Sequence, residues 1–129
     1  MERVSNDLRV IIAGSREFDN YNLLESTISN FIKENTNNVE IVSGTARGAD
    51  QLGEQFAIEY GYQIKRFPAN WNLYGKSAGP IRNREMAEYA SGGQGVLFAF
   101  WDGKSRGTKS MIDLAKKYGL EVYVVNYIS

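Results

Sequence analysis

Residues 8–18 read LRVIIAGSREF, and this stretch decides the class of fold. Leu8 to Ala13 form an apolar run rich in β-branched side chains, and the segment VIIA within it shows no alternation of polar and apolar residues. Continuous apolar runs are typical of strands that helices cover on both faces. The loop GSREF, Gly14 to Phe18, follows directly. The stretch therefore favours a strand of a parallel sheet that leads into a polar loop.

Four further runs of the same kind and four segments of helical period follow along the chain. The runs predict strands over residues 39–43, 62–67, 95–100 and 121–126, and the apolar spacing predicts helices over about residues 21–32, 49–60, 78–90 and 111–118. Strands that alternate with helices in this way are typical of right-handed βαβ units. We therefore predict an α/β fold: a Rossmann-like, doubly wound three-layer sandwich with a mainly parallel five-stranded sheet and helices on both faces.

The composition indicates an ordinary globular chain and excludes several kinds of chemistry. The 129 residues include 15 Lys and Arg against 15 Asp and Glu, and they contain no Cys and no His. These absences remove disulfides, thiolates, His-based triads and the usual zinc ligands, so we expect no metal site and name no cofactor. We predict a single domain over residues 1–129. Because no signal-peptide core or membrane span is present, we expect a cytoplasmic protein without membrane contact.

Four predicted loops share the carboxyl edge of such a sheet, where open α/β folds bind ligands. They are GSREF, SGTARGAD (43–50), PANWNLYGKSAGPIRNRE (68–85) and WDGKSRGTK (101–109). Together they hold eight basic and four acidic residues, whereas the rest of the chain holds seven basic and eleven acidic ones. A chain that is neutral overall is therefore predicted to be positive at this edge, which attracts anionic ligands.

Two of these loops place glycines directly before a predicted helix: Gly44 and Gly48 in the second, and Gly103 and Gly107 in the fourth. Glycine lets the main chain approach a phosphate, and a helix N-terminus presents free N–H groups with a positive partial charge. Each loop alone is also typical of a turn whose glycine caps a helix. The convergence of four loops on one edge favours the phosphate site. The same turns carry further donors that suit phosphate oxygens, namely Ser43, Thr45, Arg47, Ser105, Arg106 and Thr108.

The third loop carries two aromatic residues and opens a predicted helix. Trp71 and Tyr74 either stack on a nucleotide base or cover the end of the core. The stretch GPIRNREM, Gly79 to Met86, holds three charged side chains in four residues. These residues either form a solvated helix face or aim Arg82 or Asn83 at the ligand.

The motifs GSREF, SGTARGAD, PANW with GKSAGPIRN, and FWDGKSRGT together resemble the YspA, or YpsA-related, branch of the SLOG superfamily. That superfamily joins the DprA-like proteins to the LOG phosphoribohydrolases. The resemblance runs from about Arg9 to Val125 and rests on four motifs in order. It implies a Rossmann-like fold, nucleotide or nucleotide-derived ligands, and homodimers that pair through helices, although no residue of the sequence fixes that interface.

The LOG enzymes are similar to this sequence at two places. Their arginine near the start of a helix is matched by Arg82, and their PGGxGT-type loop is matched in part by Gly103, Gly107 and Thr108. Where those enzymes place a catalytic Glu, two residues beyond the Thr, this sequence has Ser110. Hydrolysis of an N-glycosidic bond normally needs a carboxylate. The substitutes within the loops are Asp50, Glu85 and Asp102.

The sequence supports three hypotheses and leaves open whether the protein is an enzyme. The preferred one is a sensor or binding domain that holds a nucleotide-like small molecule at the carboxyl edge. The second is an enzyme that cleaves the base from a nucleoside 5′-monophosphate, with Arg82 orienting the ligand and Asp50 or Asp102 assisting water. The third follows the DprA-like relatives: single-stranded nucleic acid on the basic edge, with Trp71 or Tyr74 stacking on its bases. The predicted ligand-binding residues are Gly14, Ser15, Arg16, Ser43, Gly44, Thr45, Arg47, Gly48, Asp50, Trp71, Gly79, Arg82, Asn83, Gly103, Ser105, Arg106, Gly107 and Thr108.

Overall fold

The structure is a computed structural model that describes residues 7–33 and 38–127. Its strands form one five-stranded sheet. They are β1 (Leu8–Gly14), β2 (Val39–Ser43), β3 (Gln63–Arg66), β4 (Gln94–Trp101) and β5 (Glu121–Asn126). The order across the sheet is β3-β2-β1-β4-β5, and each pair of neighbours is parallel. The predicted α/β, Rossmann-like class is confirmed, and each predicted strand agrees with the structure to within one residue at each end.

The helices between the strands are α1 (Tyr21–Ile32), α2 (Ala49–Tyr60), the short α3 (Trp71–Tyr74), α4 (Ala78–Ser91) and α5 (Arg106–Lys117). A 3₁₀ turn over Gly75–Ser77 joins α3 to α4. α5 begins five residues before the predicted start, because the Ser105 hydroxyl accepts the N–H of Thr108 and caps an earlier turn. α3 was not predicted, since four residues cannot show a helical period. Within the described ranges no helix has the length and apolar character needed to cross a bilayer.

Successive side chains of β1 enter two different cores, one on each face of the sheet. Val10 and Ile12 pack on the side of α1 and α2, whereas Ile11 and Ala13 pack on the side of α4 and α5. This alternation explains the uninterrupted apolar run, because both faces of the strand are covered. Burying one large apolar side chain contributes about 1.5–3 kcal/mol to stability. The largest fully buried helix residues of the two cores are Leu24, Ile28, Phe56, Met86 and Met111.

The order of the strands reverses beside β1. The chain builds β1, β2 and β3 outward to one edge, and β4 then pairs with the other side of β1. The loop after β1 leads to α1 on one face, while the loop after β4 leads to α5 on the opposite face. The two loops therefore diverge at the carboxyl edge and leave a crevice there, as in other open α/β sheets.

Candidate functional site

A cleft of about 300 Å³ opens at this point of reversal. Its walls are the end of β1 with the loop that follows, the second loop with the beginning of α2, the start of α3, the N-terminal half of α4 and the first turns of α5. The structure brings eleven of the predicted ligand-binding residues together in this lining: Gly14, Arg16, Asp50, Trp71, Gly79, Arg82, Asn83, Ser105, Arg106, Gly107 and Thr108.

Other predicted residues lie in the loops behind the cleft and hold them in place. The Ser43 hydroxyl donates to Oε2 of Glu54 at 2.6 Å and accepts the N–H of Thr45 at 3.0 Å. Gly48 has a φ of +82°, and a Cβ there would meet the carbonyl oxygens of Ser15 and Arg16. Only glycine combines this backbone conformation with such a close approach. Ser43 therefore ties the second loop to α2, and Gly48 lets that loop pack against the first.

The remaining predicted residues also lie outside the cleft lining. Arg47 is exposed and forms an ion pair with Glu17, with Nη2 and Oε1 2.7 Å apart. The main-chain N–H of Asp102 donates to the Ser15 hydroxyl at 3.2 Å. The Asp102 carboxylate accepts the N–H groups of Lys104 and Ser105 at 2.8 Å each, which hold the pKa of Asp102 below its usual value. The lining also excludes Ser43, Gly44, Thr45, Gly48, Glu85 and Gly103.

Arg82 is the most constrained of the cleft arginines. Its Nη1 donates to the carbonyl oxygen of Gly44, and its Nε donates to Oδ1 of Asn83 at 3.0 Å. The buried Asn83 amide in turn donates to the carbonyl oxygen of Gly107 at 3.3 Å, which ties α4 to the start of α5. Burial lowers the pKa of the Arg82 guanidinium from its usual value, and the group remains charged at neutral pH. The orientation of the Arg82 guanidinium is therefore fixed by the protein itself, without a bound ligand.

Arg16 and Arg106 are different, because both are exposed at the cleft. In the parts of the chain that the structure describes, neither guanidinium has a hydrogen-bond or ion-pair partner. A guanidinium presents five donors in a fork that matches carboxylate and phosphate groups. The two side chains are therefore available to an anion.

The N-terminus of α5 adds main-chain donors beside these arginines. Oγ of Ser105 accepts the N–H of Thr108 at 3.4 Å and its hydroxyl at 3.1 Å, and the Ser105 carbonyl accepts the indole N–H of Trp101 at 3.0 Å. These bonds fix the first turn of α5, whose initial N–H groups have no partner within the helix. A helix of twelve residues that begins at an arginine-lined cleft is suited to anion binding.

Asp50 is the single carboxylate of the lining, counted over the described residues. It lies in the first turn of α2, is only 6% exposed, and accepts the N–H of Ala46 on Oδ2 at 3.2 Å. Burial raises the pKa of Asp50 to about 6, although the Ala46 N–H and the positive charge of Arg82 act in the opposite direction. The cleft therefore combines three cations with one carboxyl group that titrates near neutrality.

Six residues of the lining were not predicted as site residues, and they form mostly its apolar part. Met86 and Met111 belong to the apolar spacing that predicted the third and fourth helices, and each lies one turn beyond a predicted ligand residue on the same helix face. That spacing was the signal that could have included them. The six are Ala13, Ala46, Pro80, Met86, Ser110 and Met111. Among the described residues no group of three or more His, Cys, Asp or Glu is arranged to hold a metal ion.

Known proteins resemble this chain in sequence and in fold. Gene 61 protein of Mycobacterium phage D29 is 31% identical over 119 residues, which cover 88% of this chain and 93% of that protein. DNA processing protein A (DprA) of Streptococcus pneumoniae shares the fold with a TM-score of 0.69 at 17% identity over 95% of this chain. DprA of Helicobacter pylori, described for its single-stranded DNA binding mode, gives a TM-score of 0.63 at 22% identity over 94% of this chain.

The two DprA likenesses show the fold alone, and this chain spans 51% and 66% of the length of those chains. The family model of YspA, cpYpsA-related SLOG proteins (YAcAr) matches residues 8–74. The matched region runs from β1 through α3, so it includes GSREF, SGTARGAD and PANW, three motifs that carry the sequence resemblance. Together with the phage relative, this match shows that the chain belongs to the YspA, cpYpsA-related SLOG family.

Proposed function

We propose that this protein is a binding or sensor domain that holds a nucleotide or nucleotide derivative, through its phosphate, in the carboxyl-edge cleft. The observation that carries the proposal is the meeting of Arg16, Arg82 and Arg106 in one cleft at the N-terminus of α5. Two of these guanidiniums have no hydrogen-bond or ion-pair partner among the described residues, and the third is held by Gly44 and Asn83. Charge-assisted hydrogen bonds of this kind are the strongest that a protein offers to a phosphate.

The rest of the cleft suits the other parts of a nucleotide. A volume of about 300 Å³ lies at the small end of the range for ligand pockets, which fits a mononucleotide better than a dinucleotide. Ala13, Met86 and Met111 supply apolar surface, and the indole of Trp71 is 51% exposed at the wall. Aromatic faces stack on nucleotide bases of any sequence.

The test is a binding panel on the purified chain, by thermal shift and then by calorimetry. The compounds are nucleoside mono-, di- and triphosphates, NAD, ADP-ribose and inorganic phosphate. A ligand at about a hundred times its Kd adds about 2.7 kcal/mol to the free energy of unfolding. We expect Arg16→Ala and Arg106→Ala each to weaken binding of the best compound about tenfold or more.

Arg84→Ala is the matched control, because Arg84 is an exposed arginine of α4 that pairs with Glu88 and lies outside the cleft. It should leave the affinity unchanged. If no compound shifts the transition, or if Arg84→Ala weakens binding as much as Arg106→Ala, the cleft is not the phosphate site. The same samples should be assayed for release of free base, because Asp50 provides a carboxyl group for such hydrolysis.

A second candidate function, binding of single-stranded nucleic acid, is favoured by the surface of α3 beside the cleft. Trp71, Leu73 and Tyr74 are 51%, 66% and 46% exposed, so α3 presents three large apolar side chains to solvent, and Trp71 among them lines the cleft with the arginines. Binding of an oligothymidylate should fall steeply with salt, because each phosphate contact releases counterions, and Tyr74→Ala should weaken it. A nucleotide confined to the cleft would show a shallow salt dependence and no effect of Tyr74→Ala.

A further inference from the structure

The second oxygen of the Asp50 carboxylate has no partner in the part of the chain that the structure describes. Oδ2 accepts the N–H of Ala46, whereas no donor reaches Oδ1 and no cation lies at ion-pair distance from either oxygen. The residue is nevertheless only 6% exposed, and what remains exposed faces the cleft. Oδ1 is not among the fully buried side-chain atoms without a partner in the described residues, so it is reached from the cleft that Asp50 lines. This oxygen is therefore an acceptor, at the end of a largely buried side chain, that a donor group of a ligand in the cleft can reach.

The charges around Asp50 narrow the choice of that donor. The positive charges of Arg82 of α4 and of Arg16 in the loop after β1 lower the pKa of this carboxyl group, and the negative charge of Glu54, one turn later in α2, raises it. Since Asp50 is mostly ionised at neutral pH, it repels a phosphate and cannot share that part of the ligand with the arginines. It must therefore face a neutral or cationic group of the same ligand that carries hydrogen-bond donors.

We propose that Asp50 binds the vicinal hydroxyl groups of the ligand's sugar, so that the cleft selects ribonucleotides over 2′-deoxyribonucleotides. This inference rests on the proposed function and names the class of nucleotide. A ribose presents two neighbouring O–H donors to a carboxylate, whereas a 2′-deoxyribose presents one. A site that hydrogen-bonds a hydroxyl rejects the analogue that lacks it, because its own polar group is then left without a partner.

Gly44 shows that the position of Asp50 is built into the fold. A Cβ added at Gly44 would lie 2.7 Å from Oδ2 of Asp50 and 2.7 Å from Nη1 of Arg82. The absence of a side chain at Gly44 therefore lets the carboxylate and the guanidinium approach the same stretch of main chain. The donor for the phosphate and the acceptor for the sugar are thereby held next to each other.

The test compares the Kd values of the four common ribonucleoside 5′-monophosphates with those of their 2′-deoxy counterparts. For the nucleotide that binds best, we expect the wild-type chain to favour the ribose form about tenfold or more at neutral pH. Asp50→Asn should reduce this ratio to below about threefold. Asp113→Asn makes the same change at an exposed residue of α5 and should leave the ratio unchanged. Thermal unfolding checks that both variants are folded.

Repeating the measurement in acid adds a readout that does not depend on a variant. Both members of each pair carry the same phosphate, so its own titration cancels in the ratio. As Asp50 takes up a proton below about pH 6, the preference for ribose should fall. A ratio that does not change with pH would contradict the role of this carboxylate.

The outcomes separate the inference from the proposed function. Equal affinity for ribose and deoxyribose forms, with binding still weakened in Arg106→Ala, overturns the inference and leaves the proposed function intact. If Asp50→Asn changes the preference among bases but not the preference for ribose over deoxyribose, Asp50 binds an amino group of the base, and the inference is also overturned. If no nucleotide binds, both fail.

Discussion

Arg82 and Asp50 meet at one point of the main chain: Nη1 of Arg82 donates to the carbonyl oxygen of Gly44, and Oδ2 of Asp50 accepts the N–H of Ala46 two residues later. The two side chains come from different helices, α4 and α2, and carry opposite charges. They hold the second carboxyl-edge loop between them without forming an ion pair with each other. Both residues also line the cleft, so a bound ligand can contact both charged groups.

The first prediction concerns the space that Gly44 leaves for these two side chains. In Gly44→Ala the new methyl group would meet both charged ends at 2.7 Å, so each must move and give up its contact with the loop. We expect the free energy of unfolding to fall by about 1–3 kcal/mol and nucleotide affinity to fall with it. Chemical denaturation and calorimetry measure the two effects.

Gly107→Ala is the control for this change, because a Cβ at Gly107 meets no atom within 4 Å. Alanine is also a better helix former than glycine, so stability should stay the same or rise. Equal destabilisation by both substitutions would show that the contact at Gly44 is not the cause.

The second prediction concerns stability as a function of pH. The pKa of Asp50 is about 6 in the folded chain against an ordinary value of 3.8, so between these values the unfolded chain is ionised while the folded chain keeps its proton. The free energy of unfolding therefore falls as pH rises from about 4 to about 6. Above pH 7 the ionised, buried Asp50 lowers it by about 3 kcal/mol. Asp50→Asn keeps an oxygen that can accept the Ala46 N–H, and it removes the destabilisation caused by the buried charge.

Denaturant titrations of wild type and Asp50→Asn across the pH range check this expectation. The variant should be more stable by up to about 3 kcal/mol at pH 7.5, and the difference should vanish below about pH 4. Asp113→Asn, the same substitution at an exposed residue, controls for the change of net charge. A variant that is less stable than wild type at neutral pH would mean that the carboxylate supports the fold.

The fold could be predicted from the sequence because the patterns that indicate its strands and helices lie within short stretches of neighbouring residues. The continuous apolar runs of β1 and β4 report burial on both faces, and the spacing of Leu24 and Ile28 reports one face of α1. α3 was not predicted because the sequence marks it only by its capping residue, Asn70, whose Oδ1 accepts the N–H of Leu73 at 3.1 Å. A single capping residue in a polar loop is too common to indicate a four-residue helix.

The site was harder to predict, as Arg47 and Arg106 show. Each arginine precedes a glycine in a loop that leads into a helix, and the local difference is the residue before it, Ala46 in one case and the capping residue Ser105 in the other. In the structure, Arg47 lies one residue before the N-cap Gly48 of α2, whereas Arg106 lies one residue after the N-cap Ser105 of α5. A difference of two positions turns one side chain outward to Glu17 and the other into the cleft. The start of each helix distinguishes the two, and for α5 that start is set by the Ser105 cap, which was not used to place the beginning of the predicted helix.

The third prediction concerns Asn83, which orients Arg82. Its amide oxygen accepts from Nε of Arg82 and its amide nitrogen donates to the Gly107 carbonyl, so Asn83→Ala removes both hydrogen bonds and leaves the half-buried Arg82 Nε without its acceptor. We expect a loss of about 1–3 kcal/mol in the free energy of unfolding, together with weaker nucleotide binding. Asn72→Ala removes an exposed amide of α3 and should change neither. If Asn83→Ala binds as tightly as wild type, the orientation of Arg82 does not matter for the ligand.

The fourth prediction separates the base from the phosphate through Trp71. The indole lines the cleft and is half exposed, so a stacked base would cover it and change its fluorescence. Loss of one base stack costs about 1–3 kcal/mol, so Trp71→Ala should weaken nucleotide binding by about fivefold or more. It should leave the affinity for ribose 5-phosphate unchanged, because that compound has no base. Leu73→Ala, an exposed apolar residue of the same short helix outside the cleft, is the matched control. Equal losses for nucleotide and ribose 5-phosphate in Trp71→Ala would instead mean that the indole only closes the wall of the cleft beside Gly79.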